Sequence, residues 1–281
     1  MRTRVSTKVV AAVILLVMMC VVAFPLYWVL TMSLRPSSDL YEKRIVPSSL
    51  TMENFRQILL EKSWAAFESV SFLVPFRNSL VVGVSAVLFS LCISIPAGYG
   101  LAKVPMRGKK IVSTYVLLAY VFPPFILIIA LYSIAQNLGL RDKLLGLALI
   151  HQVRILPYCT WMLRGYFSTV PKELEDSARI DGCSRLGALW RIFLPISAPG
   201  VVSAGIFSFT FSWNDLLFTL VTIDNFKRFT VPIALRSMVI GDFVRWNSVM
   251  AGVLIAILPP LAFYLLLQRF VVQGLTAGSI K

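Results

Sequence analysis

The stretch that decides the reading is Pro171-Lys172-Glu173-Leu174-Glu175-Asp176-Ser177-Ala178-Arg179-Ile180-Asp181-Gly182-Cys183-Ser184-Arg185-Leu186-Gly187-Ala188-Leu189-Trp190-Arg191-Ile192-Phe193-Leu194-Pro195. Pro171 fits the first turn of a helix, where a missing N–H costs nothing. Glu173, Glu175 and Asp176 follow, at the positive end of the helix dipole. Gly182 fits a helix C-terminus, and Ser184 can cap a second helix. Leu186, Leu189, Trp190 and Phe193 stand at i, i+3, i+4 and i+7, the spacing of a single apolar stripe. Pro195 stops that helix. The pattern predicts two short amphipathic helices meeting at a glycine, a unit that can fill a groove on a partner or lie on a membrane surface.

Long apolar runs flank this stretch on both sides. Of 281 residues, 58% are hydrophobic and 14% are charged, against about a quarter charged in soluble domains; mean hydropathy is +0.80. About 20 apolar residues cross a bilayer as a helix. On that length six spans can be drawn, at roughly 9–33, 78–102, 111–136, 144–166, 197–222 and 249–271, giving an all-α integral membrane protein of one domain. Segment 34–77 is too polar to span. Pro36-Ser37-Ser38-Asp39 and Pro47-Ser48-Ser49 read as turns, and Met52 to Leu60 as a short helix with Phe55, Ile58 and Leu59 on one face.

The net charge is +14, from 27 Lys+Arg against 13 Asp+Glu. These basic residues flank spans, where they meet anionic headgroups, so a nucleic-acid partner is not implied. Arg2, Arg4 and Lys8 precede the first span, and Lys103, Arg107, Lys109 and Lys110 fill a short loop. The positive-inside rule then places both termini and 167–196 in the cytoplasm, with 34–77 and 223–248 outside. Arg35, Lys43, Arg44, Lys227 and Arg228 oppose that orientation, but they are spread over longer loops. The first apolar run is too long for the core of a signal peptide and lacks a small-residue cleavage site, so it reads as an uncleaved span. Cys20, Cys92, Cys159 and Cys183 form no disulfide or zinc pattern.

Asp176-Ser177-Ala178, three residues, Gly182, nine residues and Ile192-Phe193-Leu194-Pro195 resemble the EAA loop of ABC importer permeases. That consensus is Glu-Ala-Ala, three residues, Gly, nine residues, Ile-x-Leu-Pro. Asp176 and Ser177 depart from it conservatively. Trp213-Asn214-Asp215, Thr230-Val231-Pro232 and the end from Gln268 to Lys281 are similar to the carbohydrate-importer permeases related to the smaller permease of the maltose system. The resemblance implies a type I ABC importer permease fold of six helices in a prokaryotic plasma (inner) membrane. It also implies a second permease subunit, an ATPase subunit dimer carrying ATP and Mg, and an external solute-binding protein delivering a sugar. By resemblance the helix at 172–181 is the coupling helix docking on the ATPase, with Glu173, Leu174, Glu175, Asp176, Ala178, Arg179, Asp181, Gly182 and Pro195 as its residues. Gly278, Ser279 and Lys281 belong to a tail reaching the same interface. No G-x-x-x-x-G-K-[ST] run occurs, so this chain is expected to bind no cofactor and to hydrolyse nothing.

Two ionisable residues fall inside spans, Arg154 in the fourth and Asp215 in the fifth. Each is costly in lipid and should face the bundle interior or water. Either they approach each other or share the translocation pathway, or each is solvated separately. Trp213 beside Asn214 and Asp215 suits sugar binding, and equally suits packing at the outer interface. His151, the sole histidine, reads as a packed, hydrogen-bonded residue, with a proton-relay role as the alternative. A secondary transporter would need ion-coupling residues and often repeats, and an intramembrane enzyme would need a fuller set of reactive groups. A permease for glycerol phosphate, polyamines or another non-sugar solute remains within the importer class.

Overall fold

The computed structural model describes residues 2–40, 44–60, 70–240 and 244–277, with side chains between 8 and 270. The helices run, in chain order, as α1 (Arg2–Ser33), α2 (Glu53–Leu59), α3 (Leu73–Lys103), α4 (Lys109–Val121), α5 (Pro124–Asn137), α6 (Leu144–Thr169) and α7 (Lys172–Ile180). They continue as α8 (Arg185–Ala188), α9 (Leu194–Ile196), α10 (Ala198–Asn214), α11 (Leu217–Thr222), α12 (Val231–Met238) and α13 (Trp246–Ala277). No strand occurs among the described residues. By length and composition, Lys8–Ser33, Leu73–Lys103 and Trp246–Phe270 can each cross a membrane. Two bent pairs raise the number to five: α4 with α5, bent by 94°, and Arg185–Ile196 with α10, bent by 83°.

The expected spans therefore differ in kind. The third, drawn at 111–136, is broken where Phe122 and Pro123 adopt extended backbone ahead of Pro124, as residues preceding proline do. The fourth coincides with α6, whose 26 residues are long enough to cross but carry His151, Gln152 and Arg154 among the apolar ones. The fifth, drawn at 197–222, is helical to Asn214, breaks at Asp215 and resumes as α11.

The chain divides into two compact units, residues 1–73 with 234–258, and residues 74–233 with 259–281. In the first, the apolar stretch of α1 buries no residue against the chain. A helix apolar on every side is suited to lipid or a partner helix. The segment after α1 is tied down by polar contacts. Buried Arg35 donates to Arg44 O at 2.6 Å. Asn54 Nδ2 donates to Ser33 O and Arg35 O at 2.8 and 2.9 Å, and Asn247 Nδ2 to Ser37 Oγ at 3.1 Å. In α2, Ile58 is buried, while Phe55 and Leu59 are half-buried. Asp39 accepts hydrogen bonds from Ser48 and Ser38, and the Ser48 bond holds its carboxyl below the usual range.

In the second unit α6 is the central helix, packed on α4 and α10. Its inward face carries Leu147, Ala148, His151, Gln152, Ile155, Cys159, Leu163 and Phe167, the spacing of one helical stripe. Small residues bring the neighbouring helices close. Ser208 Oγ donates to Ser90 Oγ at 3.0 Å, joining α10 to α3, and lies 3.4 Å from Cys159 Sγ on α6. At Gly98 an added Cβ would stand 3.0 Å from Leu163 Cβ and 3.1 Å from Arg164 N, so α3 meets α6 almost backbone to backbone.

Candidate functional site

The hairpin after α6 is built from local signals. Pro171 takes the N-cap position of α7, one place earlier than the sequence suggested. At the other end Gly182 has φ +81°, the left-handed region that costs glycine nothing. Gly182 N donates to Arg179 O at 3.2 Å and Cys183 N to Ala178 O at 2.9 Å, the paired bonds of a Schellman ending. Ser184 then caps α8, its Oγ accepting from Gly187 N at 3.1 Å. A π-turn over Leu189–Phe193 links α8 to α9.

That π-turn overturns the single apolar stripe. Leu189 and Phe193 are buried, whereas Leu186 and Trp190 are 64% and 65% exposed. An i→i+5 turn advances less per residue than an α-helix, so the two pairs separate onto different faces. Ile180 and Leu174 on α7 are exposed as well. Glu173, Asp176, Arg179, Asp181, Gly182 and Pro195 are also exposed, and Ala178 is half-buried. Arg179 and Asp181 form no ion pair with each other or with any other described residue. Glu175 departs from the expected set. It is buried, and its Oε1 accepts from Tyr99 Oη on α3 at 3.0 Å. Gly278, Ser279 and Lys281 lie outside the described residues.

The second region is the break after Asn214. Asp215 is extended, with ψ 121°. Its Oδ2 accepts from Thr219 N at 3.1 Å and its Oδ1 from Phe218 N at 3.4 Å, satisfying amide groups that a helix start leaves free. The same Oδ2 lies 3.2 Å from His151 Nε2, and His151 Nδ1 lies 2.9 Å from Ser212 Oγ. A carboxylate only accepts, so Nε2 carries a proton; Nδ1 accepts from Ser212 when the ring is neutral. His151 is fully buried between the rings of Phe211 and Phe218, the packed and bonded state expected of it. A cavity of ≈ 480 Å³ opens at the break, lined by Phe207, Thr210, Phe211, Asn214, Asp215, Leu216 and Leu217.

Trp213 does not line it. Its ring stacks on Phe209 at 5.5 Å and meets the edge of Phe76 at 5.7 Å, only 2% exposed. Arg154 and Asp215 are not brought together. Arg154 instead donates to Tyr120 O and Phe122 O at 2.5 and 2.8 Å and lies over the Tyr120 ring. Those carbonyls end α4, so Arg154 meets the negative end of a helix dipole and bonds groups the break would leave unpaired. Neither partner was foreseeable from the sequence, because backbone carbonyls at an unlocated break carry no residue signature. Tyr99 was likewise missed, being an aromatic residue inside an apolar run.

Helices long and apolar enough to cross a bilayer, helix breaks bonded to polar side chains and an exposed hairpin between two helices are features of a membrane transport subunit. The chain belongs to the family of binding-protein-dependent transport system inner membrane components, whose model matches residues 94–277. It is 36% identical over 262 residues to the diacetylchitobiose uptake system permease protein DasC of Streptomyces coelicolor, covering 92% of this chain and 91% of that one. It is 30% identical to the trehalose/maltose transport system permease protein MalG of Thermococcus litoralis, over 100% of this chain and 99% of that one. Its fold matches a chain in the crystal structure of a bacterial ABC transporter involved in import of the acidic polysaccharide alginate, with TM-score 0.82 at 18% identity over 96% and 98% of the chains. The chain is thus an ABC importer permease subunit, a part of such machines that is not itself an enzyme.

Proposed function

We propose that this chain is one of two permease subunits of a carbohydrate importer and forms half of the translocation pathway. The observation that carries this reading is the pairing of an exposed hairpin at Lys172–Ile196 with a helix break and cavity at Asn214–Leu217, within one family-matched segment. Relatives that import diacetylchitobiose and trehalose or maltose support a sugar as cargo. The exposed Leu174, Ile180, Leu186 and Trp190 suit a groove on an ATPase subunit; ATP and Mg belong to that partner. Six crossings follow if α6 spans beside α1, α3, the α4–α5 pair, α10 with α11, and α13, with both termini cytoplasmic in the inner membrane. An external binding protein hands over the solute.

The test is co-purification from membranes followed by uptake. The chain, a second permease and an ATPase dimer are expected together, and Ile180→Asp is expected to release the ATPase. Uptake of labelled diacetylchitobiose, trehalose and maltose is then measured in vesicles loaded with ATP. Uptake that persists without ATP under a proton gradient would overturn the importer reading, and ATP-dependent uptake restricted to non-sugar solutes would overturn the carbohydrate.

A further inference from the structure

The geometry points to Tyr99 and Glu175 as the joint through which movement of α7 reaches the membrane helices. This rests on α7 being the coupling helix. On that helix one residue alone is buried, and it is an acid. A buried carboxyl needs a partner that compensates lost water, and Glu175 has one in the Tyr99 hydroxyl at 3.0 Å. Tyr99 is 4% exposed and its ring is held on two sides, edge-on to Phe167 at 6.3 Å and to Phe193 at 5.0 Å. Phe167 lies in the last turn of α6 and Phe193 ends the π-turn, so one phenol meets the helix before α7, the turn after it and α7 itself. One turn further along α3, Lys103 Nζ donates to Val170 O and lies 5.5 Å from the Phe193 ring. Gly98, beside Tyr99, holds α3 against the α6 backbone.

The consequence is mechanical. The exposed face of α7 can be pulled by a partner, but the pull reaches α3 only through contacts that do not slip. Apolar contacts slide at little cost, whereas a directed hydrogen bond to a buried carboxyl does not, because separation leaves the acid unsatisfied. Tyr99 and Glu175 are positioning residues in this sense; neither touches solute or nucleotide. The joint converts displacement of α7 into displacement of the cytoplasmic end of α3. Without it α7 can move while α3 stays.

The experiment uses the assembled transporter in membrane vesicles with Asn214→Cys on the pathway. Labelling at position 214 by a soluble maleimide is read by peptide mass spectrometry, without nucleotide and after trapping with ATP and vanadate. With Tyr99 present, trapping is expected to change the labelling rate severalfold. In Tyr99→Phe, ATP hydrolysis per assembled complex is expected to stay within about twofold, while the labelling response falls by about tenfold, the size of a lost buried hydrogen bond. With Tyr99 in place, Glu175→Gln keeps an acceptor oxygen for its hydroxyl and is expected to retain the response. A merely structural role would lower hydrolysis and response together. Should Tyr99→Phe assemble poorly, Glu175→Leu is read on the labelling response alone, which is expected to fall likewise. A full labelling response in Tyr99→Phe, or in Glu175→Leu, overturns the joint. Ile180→Asp in parallel separates the two ideas: an ATPase that stays bound to that variant overturns the coupling reading of α7 itself.

Discussion

The hairpin from Pro171 to Ile196 and the break from Asn214 to Leu216 both interrupt runs of helix, but they are held in place differently. The turn of the hairpin closes on neighbours in sequence, Gly182 on Arg179, Cys183 on Ala178 and Gly187 on Ser184, while Glu175 ties α7 to Tyr99 on α3. The break closes on residues from another helix, with Asp215 facing His151 at a separation of 64 residues. The companion break at Phe122–Pro123 is closed by Arg154, more than 30 residues away. Outside the hydrocarbon, water satisfies whatever a turn leaves over. Within a bilayer a backbone group that a break frees must find its partner inside the protein or in a water-lined cavity, and at both breaks here a side chain from another helix supplies one.

If that contrast holds, the largest loss comes from Asp215. Asp215→Ala removes the acceptor for two amide groups and for buried His151 at once. The expected cost is about 3 kcal/mol, as for other buried groups deprived of their partner. Thermal unfolding of the purified complex in detergent checks it, and a loss below about 1 kcal/mol would mean that the break is held by packing alone.

Arg154→Met comes next. Two carbonyls at the end of α4 lose a charged donor, at an expected cost of about 2 kcal/mol by the same measurement. Arg154 and Asp215 share no hydrogen-bond partner. The double variant Arg154→Met with Asp215→Asn is therefore expected to be additive within about 0.5 kcal/mol. Strong coupling would restore the direct pairing that their depth in the spans suggested.

The same contrast explains what could be read in the sequence. Pro171, Gly182 and Ser184 announce their positions because proline, glycine and serine act on their own backbone within a few residues. The long apolar runs announce α1, α3 and α13 because bilayer thickness sets their length. Arg154 and Asp215 were legible as costly residues but not as to their partners, since cost is a property of one residue and pairing is a property of the fold. The inward turn of Glu175 was hidden for that reason: its partner Tyr99 lies 76 positions away. The split of Leu186 and Trp190 from Leu189 and Phe193 was hidden by a π-turn, which obeys no residue pattern that a 3.6-residue period can detect.

In the hairpin, Gly182→Ala forces a side chain into left-handed backbone, at about 1 kcal/mol. The effect is expected to be local: hydrogen exchange at residues 178–183 speeds up several-fold, while the melting of the complex barely changes. A global loss as large as that of Asp215→Ala would erase the distinction between the two regions.

The smallest effect is expected at Ser184, and it sharpens the comparison most. Ser184→Ala removes one capping bond at an exposed helix start, worth about 0.5 kcal/mol where water can replace the acceptor. Ser184→Asp supplies a new acceptor at the same place and is expected to match the parent. Asp215 caps a helix start by the same chemistry, with backbone amides donating to a side-chain oxygen. The difference between the two is burial: Ser184 is exposed, whereas the Asp215 side chain is 8% exposed and faces the buried ring of His151. Hydrogen exchange at the amide of Gly187 and thermal unfolding, measured on both caps, give the ratio of their costs. A ratio near one would show that the break at Asp215 is wet in the assembled transporter; a ratio of several-fold assigns the difference to the dry surroundings of the pathway helices.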